Sequence, residues 1–471
     1  MTVRRGDTVE LAIDRMAFGG KGIGRINGLV VFVAGAVPGD RITARIYRKK
    51  RDYAEAGIVE ILSPSPDRVV PPCPYSGYCG GCRMQQVRYE KQLAFKHAHV
   101  VEAMERIGGL EHAPVRPVIP SSRTFGYRNK MEFSFSDRRW YLPHELDRRE
   151  TEGGFALGLH VPGTFYKVLD VTACLLQREK GNEILREARE LVRRSRVPVY
   201  GLRTHEGFWR FLTLRYSAAL DEWMVNFVTS GERPDIVLPI ARALDRKIDG
   251  IKTIVNNIHS GKAAVAVGQK EIVLTGDGTL TDRIGPFTFR ISANSFFQTN
   301  SEGAETIYRQ VAAYAGLNGT ETVLDLYSGT GTIPIFLAGK ARRITGIEIN
   351  PGAVLDAERN CRENGIRNCR FLCGDMRKIL PEIPFRPDVL IIDPPRAGMH
   401  KAVLAQVLAL SPGKIVYVSC NPATLARDIG EMVRDYDLLE IQPVDMFPHT
   451  GHVEAVASLA RRKRFPAQKR N

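Results

Sequence analysis

The chain has 471 residues, 44% of them hydrophobic and 25% charged, with a formal net charge of +15. These values describe a globular protein of several domains and argue against a disordered or membrane-embedded one; no run of about 18 apolar residues, the length a helical span needs, occurs. The positive charge favours a polyanionic partner, because lysine and arginine gain by neutralising phosphates and releasing counterions.

The N-terminal "MTVRRGDTVELAIDR" has no apolar run of the kind a secretion signal carries. A cytoplasmic, monomeric protein without membrane attachment is expected, its thiols reduced rather than paired in disulfides. Residues 1–62 read as short strands between glycine turns: "VELAID" alternates apolar and polar, "FGGKGIGRING" is turn-rich, and more strand-like pieces follow. So many short strands in so few residues predict a small closed β-barrel of the oligonucleotide-binding kind. "RKKRDY" places Arg48, Lys49, Lys50 and Arg51 beside Tyr53. Such a patch is either a solvated face or a contact for RNA. The proline-rich "SPSPDRVVPPCP" marks a boundary.

The middle segment, 67–290, reads as mixed α and β. "CPYSGYCGGC" crowds Cys73, Cys79 and Cys82 into ten residues, and Cys174 stands alone further on. Four thiolates suit an iron–sulfur cluster or a structural zinc ion, and spacing leaves both open. "MQQVRYEKQLAFKHAHVVEAMERIGG" has helical spacing and ends at Gly108 and Gly109. "RFLTLRYS" and "WMVNFVTS" are strand-like, and "DRRWYLPHELDRRETEGG" reads as a surface loop or insertion.

From about 291, apolar strands alternate with helices, the pattern of a Rossmann-like, doubly wound parallel sheet. Ligands of such sheets bind at the carboxyl ends of the strands. The first strand closes in "LDLYSGTGT", the second at Glu348, 23 residues after Asp325, and the third at Asp375 in "CGD". Glu348 is placed to accept from ribose hydroxyls and Asp375 to meet an adenine amino group. Each alone could be a helix cap. Together they indicate an adenosine-containing ligand, with S-adenosylmethionine ahead of NAD because Pro334 stands where a dinucleotide fold has its third glycine. The fourth strand closes in "DPPR", with Asp393 followed by a stiff turn and Arg396.

The fifth strand ends at Cys420 in "SCNP", before a helix start that is expected to lower the thiol pKa. Methyl transfer to a lone pair needs no nucleophile. Transfer to carbon 5 of a pyrimidine does: thiolate addition at carbon 6 makes carbon 5 nucleophilic, and a base must then remove its proton. Glu454 in "FPHTGHVEAVASL" is the candidate base; His449 and His452 read as turn residues.

These stretches, "SFFQTN", "DLYSGTGT", "IEIN", "DPPR", "SCNP" and "HTGHVE", resemble the RNA uracil-5-methyltransferases, and in particular the bacterial enzymes acting on 23S ribosomal RNA. The resemblance covers nearly the whole chain. It implies a class I methyltransferase domain over 291–471, a TRAM-like barrel over 1–62, and a [4Fe–4S] cluster on Cys73, Cys79, Cys82 and Cys174 within 67–290. It also implies Cys420 as nucleophile and Glu454 as base. Gln298, Tyr327, Gly329, Thr332, Glu348, Asp375 and Asp393 are implied for the methyl donor and uracil, with Phe296 and Phe297 framing a flipped base. Tyr327-Ser328 stands where relatives often have Phe-Cys. A structured RNA is the implied partner, 23S ribosomal RNA first and a transfer RNA uridine of the T loop second. Two other readings remain, a nicotinamide oxidoreductase with an iron–sulfur centre and an idle RNA-binding protein. The first leaves Cys420 and "DPPR" unexplained; the second leaves an intact nucleophile and base without use.

Overall fold

A computed structural model of the chain describes residues 3–148 and 154–462. Strands β1 (Thr8–Met16), β2 (Lys21–Ile26), β3 (Leu29–Ala34), β4 (Arg41–Lys49) and β5 (Tyr53–Ser63) close a barrel in the order β1-β2-β3-β5-β4. Its interior is filled by every second residue, including Leu11 and Ile13, Val31 and Val33, and Ile42, Ala44 and Ile46. That period of two is what the alternating sequence encodes. Asp40, buried, accepts from Val37 N (2.6 Å) and Ser65 N (2.8 Å) and pairs with Arg68, which ties the departing linker back to the barrel.

Helix α1 (Tyr89–Arg106) follows. Although it lies within the segment read from sequence as the middle domain, its Val100, Ala103 and Met104 pack into the core of the C-terminal domain. Lys96 reaches from the same helix to Asp445, 2.6 Å away, and both side chains are fully buried.

The middle domain is built on β6 (Lys130–Ser136), β7 (Arg139–Trp140), β8 (Ala156–His160), β9 (Val168–Asp170), β10 (Trp209–Ser217), β11 (Glu222–Thr229), β12 (Ile251–Ile258) and β13 (Lys270–Thr275). These form one sheet ordered β13-β12-β11-β10-β6-β8-β9-β7. Helices α2 (Glu179–Ser195) and α3 (Pro234–Lys247) supply Ile184, Leu185, Val237 and Leu244 to its core. The stretch read as a surface loop near Trp140 instead begins as β7, which pairs with β9, and a 3-10 turn over Pro143–Arg148; its residues 149–153 lie outside the described residues. The hairpin β14 (Thr279–Ile284) and β15 (Phe287–Ser292) comes next. Its Ile284, Phe289 and Ile291 pack with the C-terminal core, so by packing that domain begins before residue 291.

The C-terminal sheet contains β16 (Thr322–Leu326), β17 (Arg343–Glu348), β18 (Cys369–Cys373), β19 (Val389–Ile392), β20 (Lys414–Ser419), β21 (Tyr436–Val444) and β22 (Glu454–Arg461), ordered β18-β17-β16-β19-β20-β22-β21. Helices α4 (Ser301–Ala315), α5 (Thr332–Leu337), α6 (Pro351–Glu363), α7 (Met376–Ile379), α8 (Lys401–Leu410) and α9 (Pro422–Met432) connect them. β16 to β20 are parallel, whereas β22 runs antiparallel to both β20 and β21. The sheet is therefore mixed, not wholly parallel as the apolar runs suggested. β21 is an edge strand carrying Asp437, Glu440 and Pro443, so it lacks the continuous apolar run of a buried parallel strand. Among the described residues, no helix is long and apolar enough to cross a membrane.

Breaking a buried ion pair strands a charge, at a cost of about 3–5 kcal/mol. Lys96→Met is therefore expected to lower the urea midpoint sharply, and Lys96→Met/Asp445→Leu to recover much of the loss. Equilibrium urea unfolding of both variants checks this.

Candidate active site

A cavity of about 810 Å³ opens at the carboxyl ends of the parallel strands. Gln298, Tyr327, Gly329, Thr332, Glu348, Asp393, Cys420 and Glu454 all line it, with Phe296 and Phe297. Asp375 does not. It caps α7, accepting from Arg377 N (2.9 Å), and pairs with the Arg377 guanidinium, which holds its carboxyl down at about 2. The expected meeting of Asp375 with an adenine is thus not prepared in this structure, where its carboxylate serves as a helix cap.

At the donor end, the β16–α5 turn is tightly determined. Gly331 has φ +77°, and a Cβ there would lie 2.8 Å from Phe371 Cζ and 2.9 Å from Ala357 Cβ, so only glycine fits. Tyr327 has φ +65°, a sparsely populated region for a bulky residue. Glu348 is fixed by accepting from Gly329 N (2.9 Å) and Asn350 N (2.8 Å). Thr332 Oγ1 lies 2.8 Å from the Tyr308 hydroxyl, itself on the cavity wall. Phe297 is buried against Phe289, a core residue as much as a lining one. Phe296, 66% exposed at the rim, is the ring free to stack on a base.

Sequence reasoning used Asp325 only as a spacing marker. It lines the cavity, buried, with neither carboxyl oxygen hydrogen-bonded; Ser328 Oγ bonds its backbone carbonyl instead (3.1 Å). Burial, then the nearby charges of Asp393 and Glu348, pushes it up to about 8. The legible signal was its place as the first acid closing the first strand, ahead of the glycine turn.

At the other end of the cavity, Cys420 and Glu454 come from neighbouring strands. In the β20–β22 ladder Ser419 faces Ala455. One step further along this register stand Cys420 and Glu454. The "DPPR" turn is pinned beside them, because Asn421 Nδ2 donates to Arg396 O (3.0 Å) while Asn421 caps α9 through Ala423 N. The helix start does not depress the thiol. Burial, then the charge of Glu454, pushes Cys420 up to about 11, while Arg396 acts in the opposite direction. Burial and Asp393 likewise push Glu454 up to about 8, and burial pushes Asp393 up to about 7. His449 is a buried turn residue with φ +64°. His452 faces Arg396 (Nε2 to Nη2, 3.5 Å), and burial, then Arg396, hold it down at about 4.

Cys73, Cys79, Cys82 and Cys174 share one cavity of about 400 Å³ in the middle domain, with Arg128 and Lys130 in its wall. Burial pushes Cys82 up to about 11 and Cys174 to about 12, and each of these two thiols raises the other side of the group by like charge. Four thiolates here call for a cationic occupant, which reverses that balance. Gly81 N already donates to Cys79 Sγ at 3.4 Å, as backbone groups do to cluster-bound sulfur. The donor set therefore fits an iron–sulfur cluster. Among the described residues, no three His, Cys, Asp or Glu side chains converge as ligands of one metal ion.

A glycine turn and carboxylates at the carboxyl ends of this sheet, facing a thiol and a base, define a class I methyltransferase. The comparisons with known proteins name the group. Residues 382–462 match the family described as tRNA (Uracil-5-)-methyltransferase, 323–393 a methyltransferase domain, and 2–59 a TRAM domain. An uncharacterised RNA methyltransferase of Chlorobaculum tepidum is 44% identical over 469 residues, covering 97% of each chain. Another, of Porphyromonas gingivalis, is 41% identical over 96% of this chain and 99% of its own. The crystal structure of Pyrococcus abyssi tRNA (uracil-54, C5)-methyltransferase with S-adenosyl-L-homocysteine is 30% identical and covers 96% of this chain and all of its own, with a TM-score of 0.74. The chain belongs to the RNA uracil-5-methyltransferase family and is an S-adenosylmethionine-dependent enzyme with a TRAM domain.

Glu454→Gln removes the charge that raises the thiol, so the pH midpoint for iodoacetamide alkylation of Cys420 is expected to move down from about 11. Arg396→Ala is expected to move it up. Peptide mass spectrometry of alkylation against pH measures both.

Proposed function

We propose that the protein methylates carbon 5 of a uridine in structured RNA through a covalent Cys420–uracil adduct. The observation that carries this is the placing of Cys420 and Glu454 one step along a shared ladder register, at one cavity with the donor-side carboxylates. Asp325, whose carboxyl oxygens have no partner, would take the donor's ammonium group, and Glu348 its ribose. The bound donor supplies the methyl group. Cys420 loses its proton, helped by Arg396, and its sulfur bonds to carbon 6 of the uracil. The electron pair displaced to carbon 5 takes the methyl group. Glu454 in its carboxylate form then removes the carbon 5 proton, and the carbon 6–sulfur bond breaks to restore the thiolate. Asp393, between the two ends, would hold the uracil edge. The base must leave its stack to enter, costing a few kcal/mol, and Phe296 offers the replacement surface.

The resemblance of the sequence motifs supports 23S ribosomal RNA as the substrate. A specific observation favours transfer RNA as the second reading: the Pyrococcus abyssi enzyme, alike over nearly the whole chain, acts on uracil 54 of tRNA. The barrel turn bearing Arg48, Lys49, Lys50 and Arg51 would hold phosphates flanking the target, although Lys49 Nζ donates to the carbonyls of Lys50 and Arg51 in the free protein.

We further propose a [4Fe–4S] cluster on Cys73, Cys79, Cys82 and Cys174. A roomy cavity ringed by four thiols supports a cluster over zinc, whose ligand sulfurs close to about 2.3 Å of one ion. Its role is to hold the loop around Cys73–Cys82 to the sheet; no transfer step passes through it.

Unmodified 23S ribosomal RNA and transfer RNA, each offered with labelled methyl donor, decide the substrate; label in neither would overturn the activity on both. RNA bearing 5-fluorouridine is expected to trap a covalent complex with the natural protein and none with Cys420→Ala. Glu454→Gln is expected to form the adduct but turn over about 10²–10⁴-fold more slowly. Anaerobically purified protein should contain about four iron and four sulfide per chain, lost in Cys174→Ser. Zinc alone would sink the cluster assignment.

A further inference from the structure

A second surface of the C-terminal domain has a chemistry the reaction does not use. At the amino ends of the parallel strands, opposite the reaction cavity, Arg342, Arg343, Arg367 and Arg370 line a recess of about 490 Å³ with Asn368 and Cys369. All four arginines are exposed. Register explains their convergence: Arg343 opens β17 beside Thr322, and Arg370 stands opposite Thr345 on β18. The scaffold beneath is stiff. Asn368 Nδ2 donates to the carbonyls of Ala338 and Ala341, both at 2.8 Å, and Ile344 N donates to Asn368 O at 2.9 Å. The Arg343 guanidinium lies 4.6 Å from the Phe385 ring centroid, held as a cation over an aromatic face.

Among the described residues, none of the four makes an ion pair with a carboxylate, whereas arginines elsewhere do, such as Arg116 with Glu440 and Arg189 with Asp170. Two acids share the rim, and both are engaged. Asp388 accepts from Thr322 N and Oγ1 at 2.8 Å, and Glu321 accepts from Asn318 N at 2.9 Å. Four like charges held together without counterions repel one another, and an anion relieves that. A site for one small anion would bury its guanidiniums and close around the ion; these are exposed around a recess far wider than a phosphate. Guanidiniums in a solvent-open row fit a chain of phosphates.

We propose that this arginine rim binds the phosphate backbone of the RNA substrate, at a segment distant from the target uridine. This rests on RNA being the substrate, not on which RNA it is. From Arg343 to Glu348 on the cavity side is one strand of six residues, or about 17 Å at about 3.3 Å per step. A strand advancing about 3.4 Å per phosphate spans that in about five steps. An RNA with helices around its target loop reaches the rim; a short oligonucleotide seated in the cavity does not. The contact carries no sequence information and fixes the orientation of the folded RNA.

The test compares Arg342→Gln/Arg367→Gln/Arg370→Gln with the natural protein in binding to unmodified 23S ribosomal RNA and transfer RNA transcripts, and to a single-stranded RNA of about seven nucleotides. At least one long transcript is expected to bind about tenfold more weakly. The slope of log K against log salt should fall by about two to three, the number of phosphates released. The short RNA and S-adenosylhomocysteine should bind as before, which also shows that the variant is folded. The triple lysine variant should recover most of the loss. Unchanged binding of both long transcripts would overturn the proposal and turn the rim towards an acidic protein partner. Equal weakening of the short RNA would overturn it too, by showing an unspecific effect of net charge. Because the readout is binding, failure of the uracil chemistry would appear separately, as absent methyl incorporation.

Discussion

The buried pair of Lys96 and Asp445 is the contact on which the arrangement of the domains turns. Two charges removed from water hold only where geometry is fixed on both sides. One side here is α1; the other is the turn that runs directly into Glu454. Lys96 also donates to Phe447 O (3.0 Å), and Gln92, one turn earlier, accepts from His449 N (2.9 Å). The middle domain joins through Tyr127, whose hydroxyl donates to Pro448 O (3.0 Å), and through Phe125, stacked on His449. The barrel joins at Gly451, where a Cβ would lie 2.6 Å from Gly19 Cα. One short turn thus meets all three domains immediately before the base.

That convergence explains the character of the reaction cavity. Asp325, Asp393 and Glu454 crowd into a buried space, with Arg396 as the cation acting on the thiol and base. Burial favours the neutral form of each acid. Only an arriving cation or a polar base edge can make their ionised forms cheap. The free protein therefore holds its carboxyls and thiol protonated, and charge develops when the reactants displace water. The wall between this cavity and the cysteine cavity is thin: Thr299 lines both, and Asn129 N donates to its carbonyl at 2.9 Å.

Much of this was legible in the sequence because strand-end chemistry is local. Apolar runs such as "VLIID" and "KIVYVS" identify parallel strands, and the residue that closes each faces the ligand side by rule. Hence Glu348, Asp393 and Cys420 were found individually. Cys73, Cys79, Cys82 and Cys174 were found because cysteine is scarce enough for four to be noticed. What was not legible depends on long-range packing. The amphipathic pattern of α1 shows an apolar stripe but not whose core receives it. Asp375 matches a ligand position and a helix cap equally well, and Arg377 two residues on decides for the cap. The thiol of Cys420 precedes a helix, which argues for a low pKa, but the acid opposing it arrives from another strand. The antiparallel course of β22 could not be read from "EAVASLA", whose composition suits either direction.

The position of β22 has a consequence for biosynthesis. It is the last strand of the sheet in chain order, yet it lies between β20 and β21, both made before it. As the polypeptide emerges, β20 and β21 cannot become neighbours in the finished way; a gap must be kept, or reopened, for the strand that follows. During that interval Cys420 is already made and Glu454 is not yet beside it. The nascent chain thus holds a nucleophile without its proton acceptor, among ribosomes where uridines abound, and is armed only when the final strand slots home.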